Sequence, residues 1–158
     1  KTMKTLVVGD NAPLFILKDE NEQDIKLVEL IGKKQVLVYF YPKAMTPGCT
    51  VQAQGLRDHK ADLDALNTQV FGISPDEPKK LAKFCQRDEL NFSLLSDPDH
   101  SVADAFGVWG LKKFMGREYD GIHRLSFLIG LDGKISHVFN KFKTKDHHQV
   151  VLDVLKTL

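Results

Sequence analysis

The residues best suited to chemistry lie in the run Thr46-Pro47-Gly48-Cys49, which follows an apolar segment and opens a helical one. A cysteine in the first turn of a helix faces unpaired backbone N–H groups and the positive end of the helix macrodipole, and both favour a thiolate. Thr-Pro-Gly-Cys has the spacing of a C-x-x-C redox motif with Thr46 in place of the first cysteine. A disulfide between neighbours is therefore impossible. What remains is one nucleophile with a hydroxyl three residues back, able to hydrogen-bond the thiolate or an oxygen under attack. Position alone leaves alternatives open. Cys49 is either a nucleophile or a small buried residue, and Thr46 is either a site hydroxyl or a helix N-cap. The only other cysteine is Cys85.

These residues need a scaffold, and the hydrophobic pattern supplies one. Leu14 to Asp19 and Asp24 to Leu30 flank a polar "ENEQ" and read as a short hairpin or paired extended ends. Gln35 to Tyr41 is almost continuously apolar, as a strand buried on both faces is, and Pro42 ends it. From Cys49 the pattern predicts a helix to about Leu66, with Ala53, Leu56 and Leu63 on its inward stripe. Gln69 to Ser74 reads as a second buried strand. Pro78 opens a helix whose apolar stripe is Leu81, Phe84 and Cys85, so Cys85 is expected to point towards a core. A short strand at Ser93 to Asp97 and a short helix closed by Gly107 follow. Gly110 to about Ile122 reads as a loop, long enough for a surface or functional role. Asp132-Gly133 marks a hairpin turn, and Asp146 to Leu158 an amphipathic closing helix. This alternation predicts one α/β domain over residues 1–158, thioredoxin-like, with a central mixed sheet flanked by helices.

Composition narrows the function. With 158 residues, 42% of them hydrophobic, the chain can build one substantial core. Its 22 basic and 21 acidic residues leave no charge imbalance directed at nucleic acid or an anionic membrane. The N-terminus lacks the apolar stretch of a signal peptide, and no run approaches the ~18 apolar residues of a membrane span. A soluble cytoplasmic protein, in the bacterial cytosol, is expected, with Met3 as the natural start. Two cysteines do not form a disulfide scaffold. His59, His100, His123, His137, His147 and His148 show no chelating pattern and are read as surface or structural, so neither a metal nor another cofactor is expected. Trp109 and Phe114 read as core or loop anchors, and the acidic residues form no catalytic pair.

The run Pro42-x-x-x-Thr46-x-x-Cys49, together with Arg124 in "HRLSF", resembles the active-site signature of the peroxiredoxins. "FYPKAMTPGCTVQ", "NFSLLSDPDH", "FGVWG" and "DGIHRLSFLI" resemble more specifically the bacterioferritin comigratory protein group, also called the Q type. The likeness runs from about Leu6 to the C-terminus. It implies Cys49 as the peroxidatic cysteine, Thr46 as its hydroxyl partner, Pro42 as a shield against water and Arg124 as the cation beside thiolate and peroxide. A thiol of pKa about 8.5 is only about 3% ionised at pH 7, and lowering its pKa to about 6 gains about thirtyfold in thiolate. The accompanying loss of nucleophilicity removes about ten- to eighteenfold of that. Most of a fast peroxidase's rate must then come from stabilising the breaking O–O bond, work suited to Thr46, backbone N–H groups and Arg124.

One position departs from the group. Many members carry a resolving cysteine five residues after the first, where this chain has Gln54. The resemblance then shifts to a subtype whose resolving cysteine lies in the following helix, and Cys85, 36 residues downstream, occupies such a place. For two helix-bound cysteines to bond, their Cα atoms must come within about 7 Å, so the resemblance implies local unwinding. The implied cycle reduces hydrogen peroxide and organic hydroperoxides through a Cys49 sulfenic acid and a Cys49–Cys85 disulfide, with thioredoxin or a similar dithiol as reductant and a monomer as the working form. The alternatives are a one-cysteine peroxidase resolved by an external thiol and a non-catalytic binding or chaperone module. A thioredoxin-like disulfide exchanger is disfavoured by Thr46.

Overall fold

The computed structural model describes residues 3–158. Lys1 and Thr2, which precede the expected start at Met3, lie outside the described residues. Three strands form the parallel centre of the sheet: β3 (Gln35–Phe40), β4 (Thr68–Ser74) and β5 (Ser93–Ser96). β1 (Ile16–Asp19) joins β5 antiparallel and carries β2 (Asp24–Lys26) at the edge. On the other side β8 (Ser126–Ile129) runs antiparallel to β3 and pairs with β9 (Ile135–Phe139). The sheet order is β2-β1-β5-β4-β3-β8-β9, a mixed sheet.

The run Gln35–Phe40 is apolar on both pleats because both faces are covered. Val36, Val38 and Phe40 face a layer completed by Leu27 and by helix α4 (Ser101–Phe106) through Val102, Ala103 and Phe106. Leu37, Tyr39 and Tyr41 face the opposite layer, built from α1 (Pro47–Asp58), α2 (Lys60–Ala65), α3 (Pro78–Arg87) and α5 (His147–Leu155). Cys49 and Cys85 both belong to this second layer. Among the described residues no helix is long and apolar enough to cross a membrane.

Three segments differ from the sequence-based expectation. The helix predicted from Cys49 to about Leu66 starts at Pro47 and breaks at His59, whose ψ of 20° leaves helical geometry. There the His59 ring Nδ1 lies 2.8 Å from the Gly55 carbonyl, taking the acceptor that the residue's own amide would use in a continuous helix. Gly110 to Ile122, expected as a loop, is a hairpin of β6 (Trp109–Phe114) and β7 (Arg117–Ile122). Met115 and Gly116, at φ 51° and 77°, make the left-handed two-residue turn that such hairpins favour. Most of the hairpin is exposed, so no burial alternation marked it in the sequence. The closing helix ends at Leu155, and Leu158 stands in solvent.

His147 is fully buried at the start of α5, with Nε2 2.7 Å from Ser126 Oγ and its ring against Tyr39 and Phe142. Burial chiefly, then His148 and Arg124, hold its pKa down to about 3. Folded His147 stays neutral while the unfolded residue, with a pKa of about 6.5, takes up a proton. Its stability contribution is therefore complete above about pH 6.5 and is lost as pH falls towards 3. Between pH 7 and pH 5 this one group should cost about 2 kcal/mol of unfolding free energy. Urea denaturation at the two pH values should show a shallower pH dependence in His147→Asn, and an unchanged slope would remove His147 as its source.

Candidate active site

Helix α1 begins by presenting Cys49. Thr46 sits at its N-cap with extended backbone, Pro47 occupies the first helical position where its missing N–H is harmless, and Thr50 N–H makes an i→i−4 bond to Thr46 O at 2.9 Å. The N–H groups of Gly48 and Cys49 have no acceptor within the helix. Cys49 points inward and is only 1% exposed.

Arg124 arrives from the other side of the sheet's end. The antiparallel register of β3 and β8 pairs Tyr39 with Ser126, and Phe40 N–H bonds Leu125 O at 2.9 Å, so residue 124 is delivered beside the chain leaving β3. Its Nη2 lies 3.4 Å from Cys49 Sγ and its Nη1 donates to Gln52 Oε1 at 2.7 Å. Gln52, fully buried three residues after Cys49, shares its helix face. The guanidinium thus bridges two side chains of one helical turn. Gln52 was not singled out in the sequence, though a polar amide beside Ala53 and Leu56 on a buried stripe is the signal that marks it.

The loop Pro42–Thr46 joins β3 to α1 immediately before Cys49. The Thr46 hydroxyl donates to Lys43 O at 2.9 Å, so its oxygen lone pairs remain to accept; its side chain makes no capping bond to the helix. Met45 holds a left-handed φ of 66°, a conformation that a side chain makes costly unless its neighbours hold it. Asp76 does much of that holding. Its Oδ2 accepts Ala44 N–H at 2.7 Å and Ser74 Oγ–H at 2.8 Å, while its carbonyl accepts Ser96 Oγ–H at 2.6 Å. Lys112, midway along β6, reaches back to the base of the β6–β7 hairpin and donates to Ile122 O at 2.8 Å. Burial and the charge of Arg124 lower its pKa, while Cys49 acts the other way.

Cys85 lies half-buried on α3, and both cysteines are free thiols. Burial first, then Glu20 and Asp19, push its pKa up to about 12. The polar links between the two cysteine-bearing helices converge on the end of α3. Gln54 Nε2 donates to Asp88 Oδ1 at 3.1 Å, Arg57 Nη1 to Asp88 O at 2.7 Å, and Arg87 Nη2 to Thr50 Oγ1 at 2.9 Å. Gln54, standing where many group members place a cysteine, is one of these ties. Among the described residues no three His, Cys, Asp or Glu side chains cluster as metal ligands.

The AhpC/TSA family model matches residues 8–138. The chain belongs to this family, as a peroxiredoxin of the bacterioferritin comigratory protein group. It is 62% identical to the putative peroxiredoxin bcp of Haemophilus influenzae over 99% of this chain and 100% of that one. Identity to the peroxiredoxin Bcp of Escherichia coli K12 is 58%, covering 98% of each. A structure of Xanthomonas campestris peroxiredoxin Q superposes with a TM-score of 0.88 at 28% identity, covering 95% of this chain and 97% of that one. The peroxiredoxin family implies a peroxide substrate and a thiol reductant, and its thioredoxin-like fold agrees with the mixed sheet and flanking helices seen here.

If Gln52 holds Arg124 in place, Gln52→Leu should slow oxidation of Cys49 by peroxide about ten- to a hundredfold, the worth of a hydrogen bond to a charged group. Gln52→Glu, which keeps an acceptor, should recover part of the loss. Stopped-flow measurement of the second-order rate decides; a wild-type rate in Gln52→Leu would deny Gln52 this role.

Proposed function

We propose that this single-domain peroxiredoxin reduces hydrogen peroxide and organic hydroperoxides through Cys49, and that Cys85 resolves the product as an intramolecular disulfide which thioredoxin or a similar dithiol protein reduces. The observation that carries the reading is Arg124 Nη2 at 3.4 Å from Cys49 Sγ. The Xanthomonas campestris bacterioferritin comigratory protein, studied for its alkyl peroxide reduction activity, supports organic hydroperoxides as substrates. The chemistry follows from the groups present. Cys49 thiolate attacks the terminal oxygen of the hydroperoxide; the S–O bond forms as the O–O bond breaks, and the alkoxide leaves to be protonated. Sulfur is oxidised to sulfenic acid and the peroxide is reduced to alcohol, or to water from hydrogen peroxide.

Each residue has a part in that step. Thr46 Oγ, its proton already given to Lys43, can accept the substrate's O–H and orient the oxygen under attack. Arg124 and the free N–H groups of the first helical turn stabilise the charge moving onto oxygen. Pro42, lacking an N–H, offers only apolar surface to the approach and limits water there. Cys85–SH then displaces hydroxide from sulfur, giving the disulfide and one water. That closure requires α1 and α3 to separate from their packed positions, breaking the Gln54–Asp88, Arg57–Asp88 and Arg87–Thr50 links. A cycle completed by two thiols of one chain suits a monomer in the cytoplasm.

A second reading has an observation in its favour. Cys85, held as a protonated thiol in this closed arrangement, is a poor nucleophile, so an external thiol could resolve Cys49 directly. The two separate cleanly. Cys49→Ser should abolish peroxide reduction, and Cys85→Ser should keep the first burst, accumulate sulfenic acid at Cys49 and lose cycling supported by thioredoxin. One equivalent of peroxide should yield a monomer two mass units lighter, with Cys49 and Cys85 in one cross-linked peptide. Thioredoxin-supported turnover persisting in Cys85→Ser would select the one-cysteine mechanism instead.

A further inference from the structure

Arg124 meets Cys49 and Gln52 only if the chain that carries it is fixed on both sides. After it, Phe40 N–H bonds Leu125 O at 2.9 Å and the β3–β8 register begins. Before it, the chain comes out of the β6–β7 hairpin, which forms a two-stranded sheet of its own and pairs with no strand of the larger one. The base of that hairpin is anchored to α4: Val108 N–H bonds Ala103 O at 2.9 Å, and the Trp109 ring stacks on His100 with centroids 3.8 Å apart.

Three bonds then hold the outgoing strand to this base. His123 N–H donates to Val108 O at 2.7 Å, His123 Nε2 lies 3.0 Å from Leu111 O, and Lys112 Nζ donates to Ile122 O at 2.8 Å. The third is unusual, because Lys112 stands opposite Tyr119 midway along β6 and its side chain must run back along the hairpin to make it. A glycine opens the path: a Cβ on Gly121 would lie 3.2 Å from Lys112 Cδ and 3.3 Å from Tyr119 Cε2. The next lysine, Lys113, alternates to the other face of the strand and stands 72% exposed beside Glu118. The half-buried ammonium of Lys112 is opposed in its place by burial and by the charge of Arg124. Such a cation needs acceptors for its donors, and Ile122 O, two residues before Arg124, takes one of them.

We propose that Lys112 is a positioning residue for peroxide reduction: by binding Ile122 O it fixes the chain just ahead of Arg124, so that the guanidinium arrives on Cys49 Sγ and Gln52 Oε1. The inference rests on the reading of Arg124 as the cation that serves Cys49. The guanidinium has little latitude. Its Nη2 is 3.4 Å from the sulfur, its Nη1 is 2.7 Å from Gln52 Oε1, and a Cβ on Gly48 would already stand 3.6 Å from Nη2. With Leu125 pinned to β3, losing the Lys112 bond loosens the chain on the hairpin side, and a small backbone shift there displaces the head group at the end of a long side chain. A misplacement of about 1 Å costs about a hundredfold in rate.

Lys112→Met keeps the aliphatic stem and removes the donor. In reduced full-length protein it should slow oxidation of Cys49 by hydrogen peroxide, followed by stopped flow, about three- to thirtyfold, short of the cost of a fully misplaced guanidinium. Lys112→Arg, which can still donate to Ile122 O, should recover most of the rate. Lys113→Met, which removes the same charge from the neighbouring exposed position, should stay within about twofold of the parent. The deciding comparison is made in Arg124→Met: with the arginine gone, adding Lys112→Met should cost no more than about a further twofold. A wild-type rate in Lys112→Met, or an equal loss with and without Arg124, overturns the positioning role. If Lys112→Met fails to fold, Lys112→Gln, whose shorter side chain falls short of Ile122 O, carries the same comparison. Should Arg124→Met itself be oxidised at the wild-type rate, the reading of Arg124 fails and the role of Lys112 fails with it.

Discussion

A guanidinium must reach a sulfur that is only 1% exposed, and nearly every feature around the site serves that contact between Arg124 and Cys49. The sulfur is buried because α1 starts immediately after the loop that leaves β3 and turns its first-turn side chain into the core. The arginine reaches it because β8 lies antiparallel to β3, so the strand that begins at Ser126 starts where β3 ends. Burying a charged donor beside a thiol is unfavourable unless the remaining donors are satisfied, and Gln52 takes one of them from the same helical turn. Separating any of these elements would leave either the cation or the amide without its partner.

The same contact explains why the loop between β3 and α1 is held from outside. Met45 adopts a left-handed backbone that its side chain disfavours, and Thr46, at the N-cap of α1, turns its hydroxyl proton to Lys43 O, which leaves its oxygen lone pairs open. Asp76 holds the loop from the start of the next crossover, accepting Ala44 N–H and Ser74 Oγ–H on one oxygen. The loop is thereby tied to the end of β4, a strand buried along almost its whole length. Precision at the site is thus borrowed from the sheet and not from the loop's own contacts.

How far this could be read in the sequence depended on burial. Gln35 to Tyr41 and Gln69 to Ser74 were legible because a strand covered on both faces leaves a continuous apolar run. The stripe Ala53, Leu56 and Leu63 was legible too, and all three are buried, although the helix carrying them breaks at His59. That break comes from an imidazole competing for a backbone carbonyl, which no hydrophobic period records. The β6–β7 hairpin was missed for the opposite reason: exposed strands need no apolar alternation, and only Met115-Gly116 marked the turn. At the site, Thr46 and Cys49 stood out by local spacing. Arg124 lies 75 residues from Cys49, and only the family resemblance joined them. Gln52 and Asp76 went unnoticed because a hydrogen bond to a distant backbone or side chain leaves no local pattern.

Cys85 poses the sharper physical problem. Burial and nearby carboxylates oppose its ionisation, and its helix is tied to α1 by the bonds that converge on Asp88 and Thr50, yet the proposed resolution would need it as a nucleophile close to Cys49. The packed arrangement that buries Cys49 against Arg124 and the open one that the proposed disulfide would need cannot be the same arrangement of these helices. Burial of Leu81 and Phe84 on α3 favours the closed state, each fully buried side chain contributing about 1.5–3 kcal/mol. Closing a loop of 36 residues with a disulfide offsets about 3–5 kcal/mol of this in the chain-entropy account. Under the proposed mechanism these opposing terms are of similar size once the disulfide has closed. In the proposed cycle, peroxide attack would draw on the part of the layer held by the sheet and Asp76, whereas resolution would draw on α3, whose polar ties to α1 lie at its C-terminal end.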